Sequence, residues 1–179
     1  MKTQKTKDME QALINYSLSR YRPIALEVPF WHTCDIGCGI YQEEGQMEII
    51  DAVSEHQGGF TCYELKVSMT DLHSKTAQSY LGNKNYLVCP RSMAEKIIKT
   101  NDSWLEKYPD VGIMTWDGKE SFRIIKRCKI NYGSLPVNDW KTLAQGMLLK
   151  MSEYMSWSRI QINRLKAISN QNKKHHEGA

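Results

Sequence analysis

The chain has 179 residues, 41% hydrophobic and 25% charged, a composition typical of a folded globular protein and not of a disordered one. Its formal net charge of +4 is compatible with a phosphate-bearing partner but too small to indicate one. The sequence has neither a run of about 18 to 20 apolar residues nor the apolar segment of a secretory signal, so we expect a cytoplasmic protein that does not enter a membrane.

The first half of the chain predicts a helix followed by three strands. The helix shows an amphipathic pattern, with Asp8 as its N-cap. The segment between the first two strands lacks periodicity and predicts a loop or ribbon insertion. A glycine pair marks the turn between the second and third strands. In chain order these segments are residues 8–19, 24–30, 31–47, 47–53 and 60–67.

The second half predicts short helices that alternate with apolar strands. The first helix is capped by Thr70 or Asp71, and the strand after it is apolar throughout, as strands buried on both faces are. Another short helix, another buried strand and a hairpin strand follow. In chain order these segments are residues 71–81, 86–89, 92–99, 111–116 and 121–125. This order of elements predicts an α/β fold, a three-layer sandwich with a mixed central sheet.

The pattern changes at Asn138 and stays different to about residue 170. Apolar residues recur there at alternating spacings of four and three, at Ala144, Leu148, Met151, Met155, Ile162 and Leu165. Such spacing predicts a long amphipathic helix, or a helical hairpin, that packs on the body or on a second copy of the chain. We therefore expect a domain at residues 8–130 and a helical extension at residues 138–172.

Two of the predicted strands carry ionisable residues where the pattern requires apolar ones. Asp51 interrupts an aliphatic run, and Glu64 and Lys66 flank Leu65 on the next strand. Because strand side chains alternate, Glu64 and Lys66 share one face. Burying an unpaired carboxylate is costly, so residues of this kind are normally paired, exposed or bound to a cation.

Two interpretations of these charges stay open. In one, Asp51 and Glu64 are hard oxygen ligands for Mg²⁺, and Lys66 orients or helps to deprotonate an attacking water, or stabilises charge on a phosphate. In the other, Glu64 and Lys66 form an exposed ion pair at a sheet edge, which stabilises little. The triplet alone favours the ion pair. The aspartate thirteen residues upstream of Glu64, across the glycine turn, favours the metal site.

A helix and a strand precede a spaced motif in which twelve residues separate Asp51 from Glu64 and one residue separates Glu64 from Lys66. This pattern resembles the PD-(D/E)xK nuclease superfamily with its αβββαβ core. Within the superfamily the chain is most similar to the MmcB-like DNA-repair-associated proteins. Their E-V-K strand end is followed by S-S-V-A-D and a helix, where this chain has V-S-M-T-D at residues 67–71. The resemblance covers about residues 8–118. The proline that precedes the motif aspartate is absent here, since Ile50 stands in its place.

The resemblance implies a restriction-endonuclease-like fold and Mg²⁺- or Mn²⁺-dependent hydrolysis of DNA, in repair or in mobile-element DNA processing. It assigns Asp51, Glu64 and the Leu65 carbonyl to the metal and Lys66 to catalysis. A further acidic residue often completes such sites, and the candidates are Glu27 first and Glu10 second. On the side of the fold that would carry the site, the candidates for nucleic-acid binding are Lys75, Gln78, Lys84 and Arg91. For basic residues of this kind, a solvated face is the commoner alternative.

Two other function classes stay open. One is a catalytically inactive module on the same fold that binds nucleic acid or a protein partner, and the other is a structural or partner-inhibiting protein. The intact set of Asp51, Glu64 and Lys66 favours the enzyme, because a retired site has no physical need to keep charges within apolar strands.

The remaining chemistry-bearing residues have ordinary structural interpretations. His32, Cys34 and Cys38 invite a zinc interpretation but lack a fourth ligand at a suitable spacing, so a loop with incidental cysteines is favoured. The number of cysteines, five, is odd and three lie in or beside apolar runs, which favours buried, reduced thiols. Core or helix-packing roles, and not base stacking, are expected for Trp104, Trp116, Trp140 and Trp157.

Overall fold

The computed structural model describes residues 2–36, 39–57, 59–74, 78–131, 141–158 and 160, and for residues 31–46 it describes the backbone alone. Within these residues the chain forms six strands and five helices. In chain order they are α1 Gln4–Leu18, β1 Ile24–Ile36, β2 Gly39–His56, β3 Gly59–Leu65, α2 Met69–Leu72, β4 Lys84–Pro90, α3 Arg91–Lys99, α4 Ser103–Lys107, β5 Gly112–Trp116, β6 Phe122–Lys126 and α5 at residues 141–158.

The six strands form one mixed sheet in the order β1-β2-β3-β4-β5-β6. β1, β2 and β3 make an antiparallel meander, β4 and β5 run parallel to β3, and β6 returns antiparallel. Parallel neighbours need crossover connections, which contain α2 between β3 and β4, and α3 with α4 between β4 and β5. The prediction of an α/β protein with a mixed sheet is therefore confirmed.

Apolar side chains cover both faces of this sheet. One face packs under α1, where Met9 and Leu13 contact the strands. The opposite face is covered at the β1 and β2 end by α5 and at the β4 and β5 end by α3 and α4. Trp104 and Trp116 are buried in these layers, as predicted. Cys62 and Cys89 are buried free thiols, also as predicted, and burial raises the pKa of each to about 12.

The bounds of several elements differ from the sequence prediction because capping residues were misassigned. α1 begins at Gln4 because Thr3, and not Asp8, is the N-cap, its side chain accepting a hydrogen bond from the N–H of Thr6. The predicted helix 71–81 is only α2, which Ser68 caps. Residues 78–81 are not helical, and residues 75–77 lie outside the described part of the chain. The short helix α4 was not predicted.

The predicted insertion at residues 31–47 is a two-stranded ribbon. β1 and β2 continue as a pair beyond the rest of the sheet. In this part Thr33 lies opposite Gln42 at one end and Ile36 lies opposite Gly39 at the other. The register shifts between Trp31 and Thr33. The zinc interpretation of His32, Cys34 and Cys38 concerns side chains outside the described ones and stays untested.

The first part of α5 packs the helical extension on the body. Leu143 and Met147 are buried against the sheet. Between them, Gly146 lies so close to β1 that a Cβ there would collide with the carbonyl oxygen of Pro29. Glycine is therefore required at this helix–strand crossing.

The later part of α5 exposes large apolar side chains. Leu148 is 66% exposed, Met155 73% and Trp157 62%. Trp157 is therefore not a core residue, although it lines a cavity with Leu26 and Glu27 of β1, and its predicted helix-packing role stays untested. The prediction for Trp140 falls outside the described residues. In the part of the chain that the structure describes, no helix has the length and apolar character needed to cross a membrane.

Candidate functional site

The alternation of side chains along β1 breaks at Glu27. In a regular strand, residues two apart point to the same face. Leu26, however, packs under α1, whereas Val28 packs on the opposite face with α5. Glu27 has a φ of 51°, in the left-handed region that residues other than glycine rarely adopt. The backbone at Glu27 therefore reverses which side chains of β1 point to each face of the sheet.

The side chains of β2 change from one sheet face to the other at the position opposite Glu27. Ala52, the partner of Leu26, packs under α1, and Ile50, the partner of Val28, packs with α5. Asp51 lies between them and therefore stands across from Glu27 on the neighbouring strand. Strained backbone of this kind is often found at functional sites.

β2 and β3 also separate at Asp51. Their described pairing ends at Ala52 and Tyr63, while β3 stays paired with β4 through Leu65 and Val88. The N–H of Leu65 donates instead to Oδ2 of Asp51 at 2.8 Å. The Asp51 carboxylate thus bridges the two strands where they separate, and its position depends on this backbone contact. This point of separation, with Asp51, Glu64 and Lys66, is the fork.

On β3, Glu64 and the residue that follows the strand, Lys66, form a buried ion pair. Their exposed fractions are 3% and 5%, and the Lys66 Nζ lies 2.9 Å from Oε1 of Glu64. Lys66 Nζ is also 3.7 Å from Oδ1 of Asp71. β3 is an interior strand, so the interpretation of this pair as an exposed one at a sheet edge is wrong.

The two carboxylates at the fork hold their protons more tightly than usual. Burial raises the pKa of Glu64 to about 7, with a further contribution from the charge of Asp51, although Lys66 and the N–H of Ser79 oppose the rise. Burial also raises the pKa of Asp51, against the effect of the Leu65 N–H and of Lys66. Burial, more than the balance of charges around them, therefore favours the neutral form of both carboxyl groups.

The pKa of Lys66 is raised as well. Burial works to lower it, but the carboxylates of Glu64, Asp71 and Asp51 together outweigh burial. Lys66 is accordingly an ammonium ion at neutral pH. Its chemistry at this site is that of a fixed positive charge and hydrogen-bond donor rather than that of a base.

The chain returns over Glu64 after α2 and supplies contacts that the sequence did not reveal. The N–H of Ser79 donates to the Glu64 carboxylate, and its hydroxyl donates to Oε2 of Glu48. Sequence analysis missed Glu48, Ser79 and Asp71 as neighbours of the site. Glu48 lies near Asp51 in sequence, but no motif spacing relates it to Ser79, 31 residues further on.

The four predicted nucleic-acid-binding residues are placed differently from one another. Arg91 begins α3 at the carboxyl end of β4, the sheet end that also carries Lys66, and it pairs with Glu95. Lys84 begins β4 opposite Thr61, towards the other end of these strands. The Nε2 of Gln78 donates to the Leu72 carbonyl at 2.6 Å, while its Oε1 accepts from Trp104 Nε1 at 2.9 Å. The prediction for Lys75 falls outside the described residues.

The two candidates for an additional acidic residue meet at one lysine. Lys2 Nζ contacts Oε1 of the buried Glu10 and lies 2.9 Å from Oε1 of Glu27. The pKa of Glu27 is lowered, first by its hydrogen bond with Lys2. The structure therefore brings both candidates together beside the strand position of Asp51.

The donors at the fork suit a hard divalent cation. Among the described residues, no group of three or more His, Cys, Asp and Glu side chains is arranged to hold a metal ion. Mg²⁺ commonly uses only one or two carboxylates and keeps several waters, however, and Asp51 and Glu64 supply two. A cation beside them would offset the repulsion by which Asp51 raises the pKa of Glu64.

Comparisons of this chain with protein-family models, with curated proteins and with solved structures find no match. The resemblance to the PD-(D/E)xK superfamily therefore depends on the residues of this chain alone.

Proposed function

We propose that this protein is a metal-dependent deoxyribonuclease that hydrolyses DNA phosphodiester bonds. The observation that carries the proposal is the meeting of the half-buried Asp51 with the buried Glu64 and Lys66 where β2 and β3 separate. Charged groups are retained in a strand interior only where they are paired or used, and this set has more carboxylate than its lysine offsets.

The arrangement of elements supports a restriction-endonuclease-like fold. The chain order α1, β1, β2, β3, α2 and β4 is the αβββαβ order that the sequence resemblance implies. Asp51 lies on the second strand of the meander, and Glu64 lies on the third. These are the positions that the motif requires of them.

The proposed mechanism is an in-line attack of water on phosphorus, in which a new P–O bond forms as the bond to the leaving oxygen breaks. The attacking water loses its proton to solvent, and the leaving oxygen takes one up from solvent. Mg²⁺ or Mn²⁺ supplies a water of lowered pKa and neutralises phosphate charge when bound. Asp51 and Glu64 would hold the cation, and the Leu65 N–H positions the Asp51 carboxylate for this role. Lys66 donates hydrogen bonds to the attacking water or to a phosphate oxygen, and its charge stabilises the negative charge that develops there.

A cleavage assay in Mn²⁺ and in EDTA tests this proposal. Supercoiled, linear, single-stranded and branched DNA should be compared, and we expect at least one form to be cut in Mn²⁺ and none in EDTA. The exposed Glu106→Gln variant is the control for a carboxylate change away from the fork and should cut as the unmodified protein does. Metal-independent cutting, or no cutting of any DNA, would contradict the proposal.

The exposed part of α5 supports a second proposal, that the chain forms a homodimer through this helix. Leu148, Met151 and Met155 follow the spacing of a helix-pairing seam and are all exposed. The same surface would serve a binding module without catalytic activity, and cleavage of DNA is what separates the two functions.

Sedimentation equilibrium at micromolar concentration tests the dimer. We expect the unmodified chain to be dimeric and Met155→Glu to be monomeric, because a charge within an apolar seam loses its hydration on pairing. Leu18→Glu, which places the same charge on an exposed apolar position of α1, should remain dimeric. A monomeric unmodified chain would contradict this proposal and leave the nuclease proposal unaffected.

A further inference from the structure

Lys2 is held by two carboxylates that come from different elements. Glu10 projects from α1 and is buried, and Glu27 comes from the strained turn of β1. Lys2 Nζ lies 2.9 Å from Oε1 of Glu27 and contacts Oε1 of Glu10 as well. The side chain of Lys2 is half-buried. Its ammonium group therefore occupies a defined cation position.

This cation position adjoins the fork. Glu27 stands across from Asp51, between the partner pairs Leu26–Ala52 and Val28–Ile50. The positive charge of Lys2 also acts on Asp51, where it opposes the effect of burial on the pKa. The charges of Lys2 and Lys66 thus act on the same carboxylate from separate parts of the chain.

A fixed positive charge at this place must oppose the binding of a divalent cation. An ammonium ion repels a metal ion held by Asp51, and it occupies carboxylates that a metal ion would otherwise attract. Lys66 differs, because its partner is Glu64 and its proposed role is towards the water and the phosphate. Lys2 has no such role in the mechanism.

Resting on the proposed function, we propose that Lys2 sets the metal affinity of the site, because its ammonium group between Glu10 and Glu27 competes with the cation that Asp51 and Glu64 hold. Loss of this charge then strengthens metal binding. A substitution that keeps the charge leaves the metal affinity of the site unchanged.

Mn²⁺ binding, measured without DNA from the electron paramagnetic resonance signal of free Mn²⁺, tests this role. We expect Lys2→Ala to bind Mn²⁺ about three- to tenfold more tightly than the unmodified chain, the range for removing one partly screened charge. Lys2→Arg should bind as the unmodified chain does. Lys5→Ala removes an exposed lysine from α1 and should also have no effect. Thermal melting of each variant in EDTA confirms that it is folded.

The outcomes separate this inference from the proposed function. Equal Mn²⁺ affinity of Lys2→Ala and the unmodified chain, with binding lost in Asp51→Asn, would overturn the role of Lys2 and leave the metal site intact. Absence of Mn²⁺ binding in every variant would overturn both. Tighter binding by Lys2→Ala without cleavage of any DNA would support the competition and contradict the nuclease.

Discussion

The Lys66→Ala variant is expected to lose DNA cleavage by about a hundred- to a thousandfold, the usual effect of removing one group that stabilises transition-state charge. Lys66 is the ammonium ion at the fork that the mechanism directs towards the reacting water and phosphate. Its raised pKa keeps this charge in place at neutral pH. Initial rates in Mn²⁺, on whichever DNA the unmodified chain cuts, measure the loss.

Folding must be separated from catalysis in this experiment, because Lys66 is buried and its removal takes away the ion-pair partner of the buried Glu64. Lys66→Met keeps the apolar stem, and its Mn²⁺ affinity and thermal melting show whether the fork is intact. Lys99→Ala removes an exposed lysine at the end of α3 and should cut normally. Undiminished cleavage by folded Lys66→Ala would contradict the assigned role of this lysine.

The Glu64→Gln variant is expected to gain stability relative to the unmodified chain, in EDTA, as the pH rises from 5 to 8, although it should no longer cut DNA. The pKa of Glu64 in the folded chain is about 7, above its ordinary value of 4.5. The unfolded chain therefore releases this proton at lower pH than the folded chain does. The contribution of Glu64 to stability falls as pH rises from 4.5 to 7 and stays unfavourable above that.

The groups that face Glu64 come from several elements. Asp51 on β2 adds to the rise in its pKa, whereas Lys66 beside it and the N–H of Ser79 from the returning segment oppose the rise. Replacing the acid by its neutral isostere removes the cost of ionisation and keeps the size of the side chain. It also removes the ion-pair partner of Lys66, a loss that is the same at each pH at which Lys66 is charged. The difference in stability between variant and unmodified chain should therefore depend on pH.

Thermal melting from pH 5 to pH 8 measures this dependence. The melting temperature of Glu64→Gln minus that of the unmodified chain should increase across the range. The expected increase is about 2–4 °C for each kcal/mol by which ionisation of Glu64 lowers the stability of the unmodified chain. Mn²⁺ should stabilise the unmodified chain at pH 8 and not the variant. The exposed Glu120→Gln variant is the control and should show no pH-dependent difference. A constant difference across the range would contradict the raised pKa.

The prediction of strands and helices from the sequence succeeded where local periodicity decides the structure. The apolar runs at β4 and β5 were correctly predicted as buried strands, and alternation correctly placed Glu64 and Lys66 on one face. The helix after the motif was predicted too long, because it ends at Leu72 and residues 78–81 are not helical, the N–H of Ser79 donating to Glu64 instead. Local propensity does not contain that tertiary contact.

By itself, the sequence determined that this chain forms an α/β sheet in which Asp51, Glu64 and Lys66 interrupt two neighbouring apolar strands. Only the tertiary structure decided that the Glu64–Lys66 pair is buried, that Asp51 binds the N–H of Leu65 and that Lys2 joins Glu10 to Glu27. The physical reason is the range of the interactions. Strand periodicity is local, whereas burial and the electrostatic balance of the fork depend on elements that are far apart in the chain and meet only after folding.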